Sequence, residues 1–447
     1  MRIVNSNSNT LFRIIEENQN KLYIHGYTNI DDSIIFESLC NNKFPEHIRG
    51  QFAFVFLSND EWVACVDHFC TTNLFYTDEV ISPNIIDCVT GPPSLPCTIN
   101  KSIKEQLYIT RSFSVGEETI YNGISQLQPE HYIKNNKQIR YSDIANEPIT
   151  ALNTDDLYNA FVDAIDKIDL IDPVLCFSGG KDSAFLSMLL THLGYDHKRV
   201  FITSKHKSHR VDDTICNQYK ELGWDIEYYD VEYSGGFTKE LFWDDDTFPP
   251  KQKAIKQYSG TKLTGEVGIM DGVRMAKYSY YTINKPASYR ELINLFLLGC
   301  YTHEKKGIPD IVSDEVWGGV VDTNGYHQLR EFFTERIASI DKPNFEKYFL
   351  FKYVELSRYR LAAYSQDKNN TWFHIFADYN IQKILMNLPL IDRFKEMHKY
   401  PYYKIGSSKF KNWTDISWNA PAIGLGIPRQ ESSTNFSFRD IDITPTT

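Results

Sequence analysis

The run Pro173-Val174-Leu175-Cys176-Phe177-Ser178-Gly179-Gly180-Lys181-Asp182-Ser183, continued by the apolar Ala184 to Leu190, constrains the fold more than any other stretch. A short apolar segment stops abruptly at Ser-Gly-Gly, and an apolar helical pattern starts at once. This predicts a buried parallel strand, a tight glycine turn and a helix. Two adjacent glycines let the backbone approach a ligand closely or take positive φ. The unpaired N–H groups of the helix's first turn then face an anion. Ser178 and Ser183 add hydroxyl donors, and Lys181 adds a charge. Asp182 is the odd member, because a carboxylate beside a phosphate site repels the ligand unless a cation lies between them. Mg²⁺ suits that place, since it is commonly held by one or two carboxylates plus phosphate oxygens. The spacing is not that of the Walker loop, which needs four residues between its first Gly and Gly-Lys.

A length of 447 residues suggests two or three domains. Hydrophobic content of 42% and charged content of 23% are those of a globular protein in water, and 28 Tyr with 28 Phe make the core rich in aromatics. A net charge of −11 argues against a general nucleic-acid-binding surface. No apolar run approaches the ~20 residues of a membrane span, and the first residues lack a signal peptide's apolar core and cleavage site. The eight cysteines (40, 65, 70, 88, 97, 176, 216 and 300) have no metal-ligand spacing, and Cys176 falls in the buried strand as a reduced thiol. A cytoplasmic enzyme without membrane or nucleic-acid partners is expected.

Ser-Gly-Gly-x-Asp-Ser after a strand resembles the pyrophosphate loop of ATP pyrophosphatases, which split ATP to AMP and pyrophosphate while adenylating a carboxylate or carbonyl. The resemblance implies that Cys176, Phe177, Ser178, Gly179, Gly180, Lys181, Asp182 and Ser183 surround ATP, with Asp182 on Mg²⁺. Downstream, Arg199 to Thr203 and Asp225 to Val231 are further strand candidates, with a helix at Asp212 to Tyr219 between them and another at Leu157 to Ile165 ahead of the organising strand. Strands alternating with helices imply a parallel sheet with ligands at the carboxyl ends. In the resembling family the end of the second strand lies beside the adenine, which makes Thr203 and Ser204 candidates.

Residues 1 to about 145 read as strands and turns. Leu22 to Tyr27, Phe52 to Leu57, Trp62 to Asp67 and Asn73 to Tyr76 are closely spaced apolar runs of the kind that form stacked antiparallel sheets. Gly50-Gln51-Phe52-Ala53-Phe54, Asp67, Leu74-Phe75-Tyr76 and Thr119 to Tyr132 resemble the glutamine amidotransferase domain of asparagine synthetases. That family's glutaminase nucleophile is a cysteine directly after the initiator methionine. Arg2 stands there, so the domain is expected to be a degenerate, structural one. β-Lactam synthetases, carbapenam synthetases and lasso-peptide cyclases share this loss and use an amine supplied otherwise.

The polar stretch 146 to 157, with Pro148, reads as a linker. Ser234-Gly235-Gly236-Phe237 reads as a turn, since no helical pattern with Asp-Ser follows it. Residues 233 to 300 specify little chemistry, although Glu266 to Arg274 falls where relatives place substrate-facing residues and Leu292 to Leu298 reads as a core helix. Ile308 to Gly319 resembles the Asp-Glu loop of asparagine synthetases, which implies Asp314 as a second Mg²⁺ carboxylate opposite Asp182. Ile311 stands where relatives have the Tyr or Glu of a proton-abstracting pair. From about residue 329 the pattern is helical, over Leu329 to Ile340, Phe345 to Ala363 and Ile381 to Met386.

Glu355-Leu356-Ser357 resembles the run carrying the general base of β-lactam synthetases, and a desolvated Glu has the raised pKa that role needs. Asp378 reads as a helix N-cap. Ser408 to Trp413 and Gly426 to Gln430 resemble the family's closing basic segment. There Arg429 or Gln430 aligns with a lysine that stabilises the tetrahedral intermediate. The Ser/Thr-rich tail from Glu431 reads as a segment that orders over substrate.

Together these imply an α/β protein. An N-terminal antiparallel β-sandwich, Ntn-hydrolase-like, covers residues 1–145. A parallel-sheet domain of the adenine-nucleotide α-hydrolase type covers 155–435. The implied function is AMP-forming, ATP- and Mg²⁺-dependent amide ligation of a small-molecule or peptide carboxylate to an amine, with a precursor peptide among the implied partners. An ammonia-dependent asparagine synthetase-like enzyme, another adenylating transferase or an inactive nucleotide-binding scaffold are the alternatives.

Overall fold

A computed structural model describes residues 2–3, 12–59, 61–90, 98–110, 114–148, 151, 153–177, 181–204, 217, 219–231, 258–265, 322–342, 361, 371–388, 400–411, 417–419 and 435–437. In chain order the elements are β1 (Arg2–Ile3), β2 (Arg13–Glu17), β3 (Asn20–Thr28), α1 (Asp32–Cys40), β4 (Gly50–Ser58), β5 (Glu61–Val66), β6 (Phe75–Tyr76), β7 (Val80–Ser82), α2 (Ile85–Thr90), α3 (Lys101–Thr110), β8 (Ser125–Gln126), β9 (His131–Lys134) and β10 (Lys137–Arg140). Then follow α4 (Thr154–Asp166), β11 (Val174–Phe177), α5 (Lys181–His192), β12 (Lys198–Ser204), β13 (Ile226–Val231), β14 (Lys262–Thr264) and α6 (Asn324–Ser339). The last are β15 (Trp372–His374), α7 (Tyr379–Met386), α8 (Tyr400–Lys409), β16 (Ser417–Asn419) and β17 (Asn435–Ser437). The described residues group into two compact units, one within 1–147, 237–247 and 281–368, the other within 148–236, 248–280 and 369–447. Among the described residues no helix is long and apolar enough to cross a membrane.

In the first unit β4 is the central fact. It is paired antiparallel to β3 and β5 within a six-stranded sheet of order β10-β9-β5-β4-β3-β2. Side chains alternate along a strand, so its apolar run is buried on both faces. Phe52, Phe54 and Phe56 join Ile35, Phe36 and Leu39 of α1 in one core cluster. Ala53 and Val55 face the other way, with Ala64 and Val66 of β5, and meet Tyr76 and Ile81 of a second sheet, order β1-β7-β6-β8. Large rings therefore fill the space under a helix, and small side chains let the two sheets close.

The strand-and-turn pattern expected over residues 1–145 is thus interrupted by α1, α2 and α3. α6 belongs to the same unit: Gln106 on α3 donates to Gln328 at 2.8 Å, and Arg336 donates to Asp143 at 2.9 Å.

Two acids sit inside this unit. Asp67 closes the turn after β5, accepting from the Phe52 N–H at 3.1 Å, the Phe69 N–H at 2.8 Å, the Thr71 N–H and the Thr71 hydroxyl. Burial pushes its pKa up to about 6 against the opposing pull of those donors. Glu130 is 0% exposed and left-handed at φ 63. Its Oε1 accepts the Ile144 N–H at 2.6 Å, while Oε2 has no hydrogen-bond partner among the described residues. Arg140, Asp143 and Arg336 are the charged groups that face it, and burial pushes its pKa to about 8.

The folded state therefore favours protonated Glu130, whereas the unfolded chain ionises it near 4.5. Stability present below that value is lost as pH rises through about 8, on the order of a few kcal/mol. Glu130→Gln is expected to flatten this fall. Urea denaturation between about pH 5 and pH 9 measures it, and an unchanged slope in the variant would assign the pH dependence to other groups.

Candidate functional site

Five strands of the second unit form a wholly parallel sheet of order β13-β12-β11-β14-β15. The chain steps outward from β11 to β12 and β13, then returns to the opposite edge of β11 for β14 and β15. The order reverses between β11 and β14. In open parallel sheets the loops on the two sides of such a point diverge, leaving a crevice outside the carboxyl ends of the strands. β11 ends and α5 begins at that point, on the two sides of residues 178–180.

α5 is held by groups that fix its rotation. Arg199 of β12 donates through Nε to the Ser187 hydroxyl and through NH2 to Thr191 Oγ1 at 2.8 Å. Its guanidinium lies 4.2 Å from the Trp224 ring centre. Burial lowers the Arg199 pKa to about 10, which leaves it charged at neutral pH. Phe185 packs on Phe161 of α4 at 5.0 Å and stacks on Tyr402 of α8 at 4.5 Å and 18°. The first turn of α5 thereby presents Asp182, half-buried, and Ser183, buried. The Tyr402 hydroxyl donates to Asp182 Oδ1 at 2.7 Å. Gly265, just past β14, packs against the same turn, where a Cβ would stand 3.4 Å from both Asp182 Cβ and Ser183 N.

At the neighbouring strand ends, Thr264 Oγ1 and His374 Nδ1 are 2.7 Å apart. His374 is 0% exposed, and burial lowers its pKa to about 3, so the imidazole is neutral at physiological pH. Asp378 caps α7, accepting from the Asn380 N–H at 2.8 Å and the Ile381 N–H at 3.3 Å, as expected of an N-cap.

The carboxyl edge thus brings together Phe177 closing β11, Lys181, Asp182 and Ser183 opening α5, and Thr203 and Ser204 closing β12. β12 runs past the end of β11, since Phe177 pairs with Phe201. Cys176 is the one residue of β11 that is only half-buried, a thiol outside any disulfide, against the buried strand position expected of it. Ser178, Gly179, Gly180, Asp314, Glu355 and Arg429 lie outside the described residues, as do Ile311 and Gln430. Sequence reasoning missed Gly265, His374 and Tyr402. The first two end strands only three residues long, and Tyr402 lies on a helix whose pattern carried no motif.

The residues present fit a metal-bound polyphosphate. A 12-residue helix starts at the crevice and favours an anion at its first turn. A carboxylate in that same turn opposes an anion and requires a cation between them. Among the described residues no group of three or more His, Cys, Asp and Glu forms a complete metal cage. Mg²⁺ is commonly held by one or two carboxylates plus phosphate oxygens, and Asp182 is a carboxylate in the first turn of α5. No family model and no curated protein matches the chain.

The Thr264–His374 contact ties the two short strand ends at this edge. Thr264→Val keeps the shape and removes the hydroxyl. It is expected to destabilise the protein by ~1–3 kcal/mol, the cost of disturbing a buried polar pair. Equilibrium urea unfolding checks it, and a loss below about 0.5 kcal/mol would show that the imidazole does not depend on this contact.

Proposed function

We propose that the chain is an asparagine synthetase-like, AMP-forming ligase, with a degenerate Ntn-hydrolase-like first domain and an adenine-nucleotide α-hydrolase-like second domain. The observation that carries the reading is the coincidence of Ser-Gly-Gly-x-Asp-Ser with the switch point of a β13-β12-β11-β14-β15 parallel sheet. A motif of this composition elsewhere on a sheet would have no crevice to serve.

In this reading the turn 178–180 and Lys181 bind the pyrophosphate part of ATP, and Thr203 and Ser204 lie beside the adenine. Asp182 and Asp314 hold Mg²⁺, which supplies charge neutralisation to the phosphates. A substrate carboxylate oxygen attacks the α-phosphorus and pyrophosphate leaves, its charge met by Lys181 and the loop amides. An amine nitrogen, intramolecular or from a second substrate, then attacks the acyl carbon. Glu355 takes its proton, Arg429 stabilises the tetrahedral charge, and AMP departs as the amide forms.

The tests separate these roles. Mg·ATP should bind the unaltered protein in a calorimeter. With the cognate carboxylate, ATP–pyrophosphate exchange should vanish in Asp182→Asn and in Asp314→Asn while the fold is retained. Glu355→Gln should keep exchange and slow amide formation by ~10²–10⁴-fold, the range for losing a general base. Absence of Mg·ATP binding overturns the nucleotide reading, and normal exchange in either Asp variant removes that residue from the site.

A further inference from the structure

We propose that Tyr402 is a positioning residue, whose buried phenol fixes the Asp182 carboxylate and thereby sets how strongly the site takes a metal-bound nucleotide. The proposal rests on the nucleotide reading above and adds a residue from a distant helix to it. Tyr402 lies 220 residues from Asp182 in sequence, yet its hydroxyl donates to Oδ1 at 2.7 Å. Its side chain is 0% exposed. The ring is fixed by Phe185, stacked at 4.5 Å and 18°, and by Phe376, tilted at 5.7 Å and 54°. Phe185 and Phe376 also meet each other, at 6.4 Å, so the phenol ring is part of a three-ring cluster that sets the position of its oxygen.

The chemistry of that contact favours a role beyond packing. A hydrogen bond to an ionised carboxylate is roughly twice as strong as one between neutral groups. This contact removes the freedom of the Asp182 carboxylate to rotate. Gly265 packs against the same turn, where a Cβ would stand in van der Waals contact, 3.4 Å from Asp182 Cβ and Ser183 N. A carboxylate fixed in this way gives up no rotational freedom when it meets a cation, which is how pre-organisation raises affinity. A purely structural phenol would gain as much from any buried acceptor. This one uses the single acid in the first turn of α5.

The test is calorimetric titration of ATP, with Mg²⁺ and with EDTA, into the unaltered protein and Tyr402→Phe. The variant keeps the ring and removes only the donor. Mg·ATP affinity is expected to fall on the order of tenfold, with metal-free ATP affinity unchanged. In an Asp182→Asn background, Tyr402→Phe should cost nothing further, since the two act as one unit. Phe185→Leu is the packing control. It disturbs the stacking partner but leaves the phenol, and it should lower the melting temperature without changing the ratio of the two affinities.

Equal Mg·ATP affinity in Tyr402→Phe and the unaltered protein overturns the positioning role alone. So does a change of the same ratio in Phe185→Leu, which would reduce Tyr402 to packing. If the unaltered protein binds neither form of ATP, the nucleotide reading itself fails and this role falls with it. If Tyr402→Phe does not fold, as judged by circular dichroism, Tyr402 is a structural residue and the proposal is overturned.

Discussion

β11 is hydrogen-bonded along both edges, and the second unit is built outward from it. Val174 and Leu175 pair with Lys198 and Arg199 on one side and with Lys262 and Leu263 on the other. Parallel neighbours cannot be joined by hairpins, so each pairing requires a crossover that carries the chain back across the sheet. Because the chain goes from β11 to β12 on one edge and later returns to β14 on the other, the order of the sheet reverses at the carboxyl end of β11. The site follows from that reversal. Phe177, the last strand residue, is locked edge-on against Tyr219 and Trp224 at 4.8 and 6.0 Å.

How much of this is legible in the residues depends on whether the signal is local. The β11–turn–α5 unit is visible because Pro173 to Phe177 is apolar throughout and two glycines end it. β12 and β13 are visible by the same rule, and so are β3, β4 and β5. β14 and β15 are not. Three residues such as Lys262-Leu263-Thr264 have no period to detect, and they are strands only because β11 and each other supply their hydrogen bonds. α1 to α3 escape notice among strand-like neighbours because helices of six to ten residues carry few periodic positions. The membership of α6 is likewise non-local. It is drawn to the first unit by the Arg336–Asp143 pair and the Gln106–Gln328 contact, partners some 190 to 220 positions away. The same limit governs the site: Asp182 is readable from its motif, whereas its partner Tyr402 is known only from the packing of Phe185.

The first unit carries a cost that its β-pattern does not disclose. A buried carboxylate is tolerated when donors converge on it. Asp67 meets that condition with backbone N–H groups from β4 and from its own turn, so it works as a clip between β4 and the loop after β5. Glu130 does not meet it, with one backbone donor and a left-handed backbone besides. Proton binding resolves the deficit by removing the charge rather than by pairing it. Arg140 and Arg336 face Glu130 but are engaged with Asp143, at 3.5 and 2.9 Å. The turn at 144–146 is consequently held by an uncharged acid inside a ring of paired charges.

Electrostatics then connects the two kinds of acid in this protein. The chain is acidic overall, at −11, which works against any polyanion that approaches without a counter-charge. At the start of α5 the helix terminus contributes about half a unit of positive charge and Lys181 adds a positive charge of its own, against the negative charge of Asp182. In the proposed reading Asp182 therefore makes a polyphosphate that carries a divalent cation more favourable at this edge than a bare one. Burying the phenol of Tyr402 against Asp182 sharpens that preference. In the proposed role its hydrogen bond fixes the position of the carboxylate, which favours a polyphosphate that carries its metal and leaves the binding of a bare one unaltered.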